Sequence, residues 1–361
     1  MQNPFIIGKT VTGKQFADRK RLIEILKMEI DTKQSIVLHG PRRMGKSSLV
    51  KEIIRELSES SHIKTVYVDF LQKDTIGSIT GSIVQQISGK MEQAIDLVKK
   101  TLSGITITLK GNNLELGLTN EEKLLVDILD LVEKKSETHG MLVIFDEFQE
   151  LETIAPDIIK QVRATVQHHM KVCYIFTGSD SRLLDLFIQT NQPFYKFGKN
   201  INLGKPEVQE MISFIITRFK EAEILISDTF GELILKKTKN FPYFTQYLCQ
   251  EIWNRAKLDE KDTIDEELID SSFNHILTQE QNNFEATWSM LNKNHRKAIK
   301  ILLTTDQIYN KESLADYRIS QGSLQQAIKY LENKQIIWKE NDSYHLLDPF
   351  FERWIYNIFL Q

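Results

Sequence analysis

The sequence predicts an α/β fold: a parallel β-sheet sandwiched by helices, then a helical segment, then a small module of helices and a hairpin. Up to about residue 205, apolar runs of strand length alternate with helical periodicities, as in a parallel sheet with crossover helices. From 206 to about 280 the spacing is wholly helical, and residues 281–361 add two short strands to three helices. We therefore expect three domains, at residues 1–205, 206–280 and 281–361.

The first strand leads into a phosphate-binding loop. The apolar run at residues 35–39 is followed by residues 40–47, which fit the pattern G-x-x-x-x-G-K-[ST]. Glycines at both ends let the backbone N–H groups point inward at anionic oxygens, and the next helix adds positive potential at its N-terminus. In such a loop Lys46 reaches the β- and γ-phosphates of a nucleoside triphosphate, and Ser47 ligates Mg²⁺. The expected nucleotide-binding residues here are Gly40, Pro41, Arg42, Arg43, Met44, Gly45, Lys46, Ser47 and Ser48.

A strand that ends in two acids is the second chemical signal. Residues 141–145 are all apolar, which suits a central strand covered on both faces, and Asp146 and Glu147 follow them. Acids at the C-terminal end of such a strand lie beside the phosphate loop, as a Walker B pair does. We expect Asp146 to bind the Mg²⁺ shell and Glu147 to polarise the attacking water, so Glu147 and Lys46 are the predicted catalytic residues.

Four elements are predicted between these two motifs. A helix follows the loop directly, residues 65–70 form the next strand, and residues 76–87 form the next helix. Two stretches of period-2 alternation, 105–109 and 114–118, flank a Gly-Asn-Asn turn and predict a hairpin inserted near 104–119. The hairpin is either a decoration of the core or a contact for a partner. We favour decoration, because P-loop proteins often carry insertions.

The fourth strand, at residues 172–176, ends in a polar turn that includes Thr177 and Ser179. A polar residue in this place can sense the γ-phosphate, so both are sensor candidates, although ordinary turn chemistry explains them nearly as well. Residues 201–203 predict a short fifth strand, and Pro206 opens the helical segment. That segment suits a lid over the nucleotide, broken midway at residues 240–243.

Residues 281–361 predict a winged helix-turn-helix, because three helices precede a hairpin at 335–339 and 343–347. In a DNA reader the third helix would enter the major groove, and its outward residues here are polar. The segment carries ten Lys and Arg against nine Asp and Glu. This small positive excess gives little attraction to DNA for a module that must displace counterions.

Two further features of this module leave its role open. A basic cluster on its first helix, at residues 293–300, suits sequence-independent DNA contact, but an ordinary solvated helix face is the interpretation we favour. The tail at residues 348–355 carries enough aromatic bulk to pin the wing back onto the ATPase, which is at least as good an interpretation as DNA binding.

Composition indicates a chain of more than one domain. With 361 residues, 41% of them hydrophobic, the chain can bury a large core. The net charge of −3 gives no global attraction to nucleic acid or anionic lipid. Cys173 and Cys249 lie in apolar stretches and make neither a disulfide framework nor a zinc site. No apolar run approaches the ~20 residues that span a bilayer, and the start is no signal peptide, so we expect a cytoplasmic protein without a membrane partner.

The chain resembles the archaeal-type ATPases of the STAND class, relatives of the AAA+ proteins. Their pattern G-P-R-R-x-G-K-[ST]-S-L is found at residues 40–49, an apolar run followed by D-E-[FIL]-Q at 141–149, and [ST]-G-S at 177–179. Their helical lid and winged helix match the last two domains, so the resemblance covers nearly the whole chain. It implies an ASCE or AAA+-like P-loop core, ATP with Mg²⁺, and a switch that is closed with ADP and opened or assembled with ATP.

The resemblance also implies roles for residues outside the two phosphate-site motifs. Arg19 keeps the arginine of an F-x-G-R-E-x-E motif that helps to hold the nucleotide, although the glycine and the acids are absent. Pro242 keeps the proline of a lid motif G-x-P that packs near the adenine. Lys199 replaces the arginine of an F-G-R motif, so we assign it no arginine-finger role. Arg163 and Arg182 remain finger candidates, although a helix-surface arginine is usually only solubilising.

The function that these observations indicate is a Mg²⁺-dependent ATPase acting as a regulatory switch. We expect slow hydrolysis until a second subunit or a protein partner completes the site, because an arginine finger adds ~10³ to 10⁵ in rate. The alternative is a DNA-binding, initiator-like AAA+ ATPase whose winged helix touches DNA. A small-molecule kinase is disfavoured because the sequence shows no acceptor pocket, and a scaffold that never hydrolyses ATP would leave Glu147 without a role.

Overall fold

The computed structural model describes residues 2–17, 19–61, 63–118, 120–136, 140–179, 183, 185–187, 189–305, 307–340 and 342–360, without the side chains of Glu122 and Ser179. The chain divides into two compact units. The core unit consists of Lys20–Gly40 and Lys46–Leu203, and the lid unit of Met1–Arg19, Pro41–Gly45 and Gly204–Gln361.

A parallel sheet forms the centre of the core unit. Within the described residues its strands are, in spatial order, Lys64–Asp69 (β2), Met141–Asp146 (β5), Val172–Ser179 (β6), Ile36–Gly40 (β1) and Lys199–Asn202 (β7). Neighbouring strands all pair in parallel. Every residue of β1 and β5 is buried, as expected for central strands of such a sheet. The predicted parallel sheet is confirmed, and β6 places Thr177 between the strand of the phosphate loop and the strand of the acid pair.

Helices flank this sheet and bury one apolar stripe each. In α1, for example, Ile23, Leu26 and Ile30 recur at helical spacing and are buried. Thr75 caps the start of α3 by accepting from the backbone N–H of Ser78 at 3.1 Å. The described helices of the core unit are Lys20–Asp31 (α1), Lys46–Ser60 (α2), Ile76–Ser88 (α3), Met91–Thr101 (α4), Glu121–Lys135 (α5), Leu151–Ile154 (α6) and Ile158–Val166 (α7).

The predicted hairpin is present as two antiparallel strands, Thr106–Lys110 (β3) and Asn113–Gly117 (β4). Leu114 and Leu116 of β4 are buried in the hydrophobic cluster that also covers the sheet. A Cβ atom on Gly81 of α3 would lie 1.9 Å from the Leu114 carbonyl oxygen, and one on Gly77 would lie 2.3 Å from that of Leu116. The two glycines therefore let the backbone of β4 lie directly on α3.

The lid unit begins with a helical array, as predicted. Its first helices are Val208–Glu221 (α8), Asp228–Thr238 (α9), Pro242–Leu258 (α10) and Glu266–Gln279 (α11). The break before α10 occurs where Lys239 and Asn240 both adopt left-handed backbone angles, with φ of +54° and +58°. The N-terminal segment packs on these helices: the Phe5 ring centroid lies 4.7 Å from that of Phe219. None of the described helices is both long and apolar enough to cross a bilayer.

The winged helix follows in the same unit. The predicted helices are Lys293–Thr304 (α13), Lys311–Asp316 (α14) and Gln321–Asn333 (α15), preceded by Gln281–Met290 (α12), and the hairpin is Ile337–Glu340 (β8) and Ser343–Leu346 (β9). A last helix, Pro349–Phe359 (α16), ends the chain's described part. The third predicted helix, α15, buries Leu324, Ala327, Ile328 and Leu331 and leaves its polar face exposed.

The aromatic tail docks α16 onto the lid helices. The ring centroid of Phe350 lies 5.8 Å from that of Phe244, 5.7 Å from that of Tyr247 and 4.9 Å from that of Phe273. Aromatic pairs at these separations add to the free energy of burial. The tail thus holds α16 against α10 and α11 of its own unit, and docking of the wing onto the ATPase core stays a prediction.

Candidate functional site

The phosphate loop joins β1 to α2 in the predicted place. β1 ends at Gly40 and α2 begins at Lys46. Gly40 has a φ of +156°, and a Cβ there would lie 2.8 Å from the Leu203 carbonyl oxygen, so glycine is required. Lys46 is buried, and its Nζ donates to the Gly40 carbonyl oxygen at 2.6 Å. The ammonium group is therefore held against the start of the loop.

Arg19 braces loop residues 41–45, which belong to the lid unit. Its Nη1 donates to the Gly204 carbonyl oxygen at 2.9 Å and its Nη2 to that of Met44 at 3.2 Å. Burial lowers the pKa of the Arg19 guanidinium to about 10, and Glu210 partly offsets this, so the group stays charged at neutral pH. The structure thus places Arg19 on the backbone of the loop, and its contact with the nucleotide stays a prediction.

Arg43 of the loop contacts both α10 and the residue that caps α16 in the lid unit. Its backbone is left-handed, with a φ of +68°. Its guanidinium carbon lies 4.9 Å from the ring centroid of Tyr243 and 4.8 Å from that of Phe244, both on α10. Its Nη1 lies 3.0 Å from Oδ2 of Asp348. Asp348 also caps α16, because its Oδ1 accepts from the N–H of Phe350 at 2.9 Å. Burial raises the pKa of the Asp348 carboxyl, and Arg43 opposes that rise.

Asp146 closes β5 and accepts a hydrogen bond at each carboxylate oxygen. The Thr177 hydroxyl donates to Oδ1, and the Tyr67 hydroxyl donates to Oδ2 at 2.7 Å. Burial, and then the charge of Asp146, raise the pKa of Tyr67, so its hydroxyl remains a donor. The carboxylate is therefore fixed in orientation. Thr177 is fully buried and serves Asp146, while its predicted role as a γ-phosphate sensor stays a prediction.

Lys51 is a cation close to the Asp146 carboxylate. Nζ of Lys51 lies 3.2 Å from the ring centroid of Tyr67. Burial lowers the pKa of Lys51, whereas Asp146 and Asp69 raise it. Asp69 lies opposite Asp146 in the register of β2 and β5, and burial together with Asp146 raises the pKa of Asp69. Lys51 therefore partly balances two acids at the ends of neighbouring strands.

Glu147 lies in a sharp turn directly after β5, with φ and ψ of +53° and +45°. The turn buries the next residue, Phe148, whose ring centroid is 4.7 Å from that of Phe176. Gln149 is also buried, and its Nε2 donates to Oε2 of Glu147 at 2.5 Å. The core thus anchors the residues after Glu147, while Glu147 itself stays half-buried.

The residues of the core unit fit a magnesium nucleotide. Mg²⁺ prefers a few hard oxygen ligands, and phosphate oxygens and water complete its shell. The Ser47 hydroxyl at the start of α2 and the Asp146 carboxylate are such ligands, and no cluster of three or more His, Cys, Asp and Glu occurs among the described residues. The buried Lys46 ammonium would supply positive charge to a triphosphate bound there.

The other predicted site residues are the lid proline, the arginine-finger candidates, Ser179 and the rest of the loop. Pro242 begins α10 and is half-buried. Lys199 pairs with Glu29. The Arg163 guanidinium carbon lies 4.4 Å from the Phe197 ring centroid, and its Nη1 donates to Gln167. The side chain of Ser179 and all of Arg182 lie outside the described residues. Pro41 and Met44 are buried, Arg42 is exposed, and Gly45 and Ser48 are half-buried.

Tyr67 and Gln149 are site residues that the sequence does not predict. In the sequence Tyr67 is only part of a strand, and its contact with Asp146 arises because β2 and β5 pair. The one available signal was a large residue with a hydroxyl in a strand rich in valine. Gln149 is part of the D-E-[FIL]-Q pattern, but the pattern does not predict which group the glutamine contacts.

A known family matches the part of the chain that contains the phosphate loop and the acid pair. The model of an ATPase domain predominantly from Archaea matches residues 16–238, more than half of the chain. The chain belongs to this ATPase family. A probable winged helix domain matches residues 282–357 of this archaeal-type ATPase, and no match was found among curated proteins.

Solved structures share the fold of the archaeal-type ATPase. A Walker-type ATPase of Pyrococcus abyssi has a TM-score of 0.67 at 15% identity, over 98% of this chain and 99% of that one. The ORC2 protein of Aeropyrum pernix, in ADPNP–ADP complexes, has a TM-score of 0.57 at 16% identity, over 93% and 90%. The ORC1 protein of Aeropyrum pernix, in complex with DNA, has a TM-score of 0.52 at 12% identity, over 96% and 94%. The predicted fold, a parallel α/β sheet flanked by helices and followed by a winged helix, is confirmed, and the archaeal-type ATPase is an ATP-hydrolysing enzyme.

Proposed function

We propose that this archaeal-type ATPase is a Mg²⁺-dependent regulatory switch of the STAND kind. The observation that carries the proposal is the position of Arg43. This loop residue lies on two aromatic rings of α10 and pairs with Asp348 at the start of α16. A change in the loop on nucleotide binding therefore acts directly on the lid helices and the winged helix, which is what a switch requires.

The hydrolytic step needs the groups at the ends of β5 and β1. The water oxygen forms a bond to the γ-phosphorus while the bond from phosphorus to the bridging oxygen of ADP breaks, and Glu147 accepts the water's proton. Lys46 neutralises charge on the β- and γ-phosphate oxygens. Mg²⁺, held by Ser47 and Asp146, would supply further charge neutralisation there. Tyr67 and Thr177 keep Asp146 oriented for that task.

A slow basal rate follows from the positions of the arginines. Arg163 packs on Phe197 and donates to Gln167, so it is engaged within its own unit. Lys199 is paired with Glu29. Arg182 lies outside the described residues. Because Arg163 and Lys199 are both engaged, we infer that a second copy of the chain or a protein partner supplies the arginine finger, a group that adds ~10³ to 10⁵ in rate where it is known.

A second candidate is a DNA-binding ATPase of the initiator type. The exposed polar face of α15 and the likeness to the ORC1 protein solved with DNA favour it. The basic cluster on α13 weakens it, because Arg296 donates to the Trp288 carbonyl oxygen at 3.0 Å and Lys297 to that of Arg318 at 2.7 Å. Side chains that already donate to backbone carbonyl oxygens have fewer donors left for DNA phosphates.

One experiment separates these functions: ATP turnover of wild type, Lys46→Ala and Glu147→Gln, with and without duplex DNA at low and high salt. We expect Lys46→Ala to lose nucleotide binding, and Glu147→Gln to bind nucleotide but turn over about 10² to 10⁴ times more slowly. Normal turnover in Glu147→Gln contradicts its role as the base. Turnover that DNA accelerates and salt suppresses favours the initiator type, whereas turnover indifferent to DNA favours the switch.

A further inference from the structure

We propose that Gln149 is a positioning residue for hydrolysis, which holds one oxygen of the Glu147 carboxylate and leaves the other to take the proton of the attacking water. The inference rests on the proposed role of Glu147 as the base. Gln149 touches neither nucleotide nor water in this mechanism and acts only through Glu147.

The amide of Gln149 is fixed by its surroundings. The side chain is 1% exposed, and the neighbouring Phe148 is anchored among the aromatic rings of the core. Its Nε2 donates to Oε2 of Glu147 at 2.5 Å. The opposite orientation of the amide would set an oxygen acceptor against a carboxylate, which repels it. Within the described residues Oε1 of Gln149 has no hydrogen-bond partner, so Glu147 is the group that orients the amide.

Gly178 provides the space for this amide. A Cβ atom on Gly178 would lie 2.0 Å from Oε1 of Gln149 and 3.1 Å from its Cδ. The amide therefore occupies the volume that any other residue would fill at this position of β6. This gives the Thr-Gly-Ser segment a packing function next to Asp146 and Glu147, beyond the chemistry of a turn.

A carboxylate held in one orientation accepts a proton from the attacking water more efficiently than a mobile one, because its acceptor oxygen stays in place. Glu147 is half-buried, and the hydrogen bond from Gln149 restrains one oxygen of its carboxylate. A catalytic group displaced by about 1 Å can lose about a hundredfold in rate. Removal of the Gln149 amide should therefore lower kcat by about ten- to a hundredfold, while the affinity for nucleotide is unchanged.

The test compares Gln149→Met with Gln281→Met in the full-length chain. Methionine keeps the volume of the buried side chain and removes its donor. Gln281→Met is the matched control, since it removes a bond of the same type, from Nε2 to Oε1 of Glu285 at 2.8 Å, on an exposed face of α12. We expect Gln149→Met to bind ADP within about threefold of wild type by calorimetry, with kcat at least tenfold lower. The control should match wild type in both measurements.

Gln149→Glu provides a second test that does not depend on the methionine variant. A protonated carboxyl at this position donates to Glu147 as the amide does, whereas an ionised one repels it. The kcat of Gln149→Glu relative to wild type should therefore fall as pH rises from 6 to 8. A ratio that stays close to one across this range overturns the proposal, even if Gln149→Met does not fold.

The outcomes separate this inference from the proposed function. Wild-type turnover in Gln149→Met, with Glu147→Gln inactive, overturns the positioning role alone. Equal losses of kcat and ADP affinity in both Gln149 variants indicate a structural role and also overturn it. Normal turnover in Glu147→Gln would show that Glu147 is not the base, and it would contradict the proposed function as well.

Discussion

Thr177 and Tyr67 donate to the two oxygens of Asp146 from strands on either side of it. Hydrogen bonds to a carboxylate fix its orientation. Burial affects other single residues, because it favours the neutral form of an acid. The two cysteines show this effect most clearly: Cys173 in β6 and Cys249 in α10 are both fully buried.

The thiols should be inert in the folded protein. Burial raises the pKa of Cys173 to about 12, and it raises that of Cys249 well above the ordinary value. At pH 9 only about one part in a thousand of Cys173 is then thiolate, so its alkylation should stay slow up to that pH. We expect iodoacetamide to modify neither cysteine in native protein and both in urea, as counted by intact mass. Stoichiometric modification without denaturant, under conditions that label a free cysteine control, contradicts this.

At the scale of elements, two glycines of α3 determine where β4 packs. The alternating pattern of residues 105–118 predicts the hairpin but not its position. Gly77 and Gly81 lie four residues apart on one face of α3, and the carbonyl oxygens of Leu116 and Leu114 lie on them. With this packing the hairpin closes part of the hydrophobic core rather than extending the main sheet.

Gly81→Ala should destabilise the core unit. The new Cβ would lie 1.9 Å from the Leu114 carbonyl oxygen, so β4 or α3 must shift, at a cost of about 1–3 kcal/mol. The measurement is thermal unfolding followed by circular dichroism. Gly322→Ala is the control, because a Cβ atom on Gly322 of α15 would meet no other atom within 4 Å, and alanine there is neutral or favourable. Equal melting temperatures in both variants would mean that the hairpin can leave α3 freely.

At the scale of the whole molecule, the chain passes from one unit to the other inside the phosphate loop, since Gly40 and Lys46 belong to the core unit and Pro41–Gly45 to the lid unit. Within the lid unit, Arg43 of the loop pairs with Asp348, and Lys205 pairs with Glu340 of the wing. The two ion pairs differ in one respect that matters for function: only the first includes the loop.

Asp348→Asn should raise basal ATP turnover about two- to fivefold. Asparagine still caps α16 but loses the charge that pairs with Arg43, and a partly exposed ion pair contributes about 0.5–1 kcal/mol. The matched control is Glu340→Gln, which removes the 2.8 Å pair with Lys205 and leaves the loop untouched. Steady-state phosphate release measures both. If the two variants have the same rate, the Arg43 contact does not restrain the enzyme.

Local periodicity and short motifs were enough to predict the parallel strands, the inserted hairpin, the phosphate loop, the acid pair and the winged helix. Helices such as α4 and α7 were not predicted. Element ends moved by only a few residues, as where β6 continues to Ser179. The tertiary structure alone decided that Tyr67 reaches Asp146, that Gly178 makes room for Gln149, and that Asp348 reaches Arg43. These contacts join residues from 29 to 305 positions apart, and their partners follow from strand order and packing, which no single segment encodes.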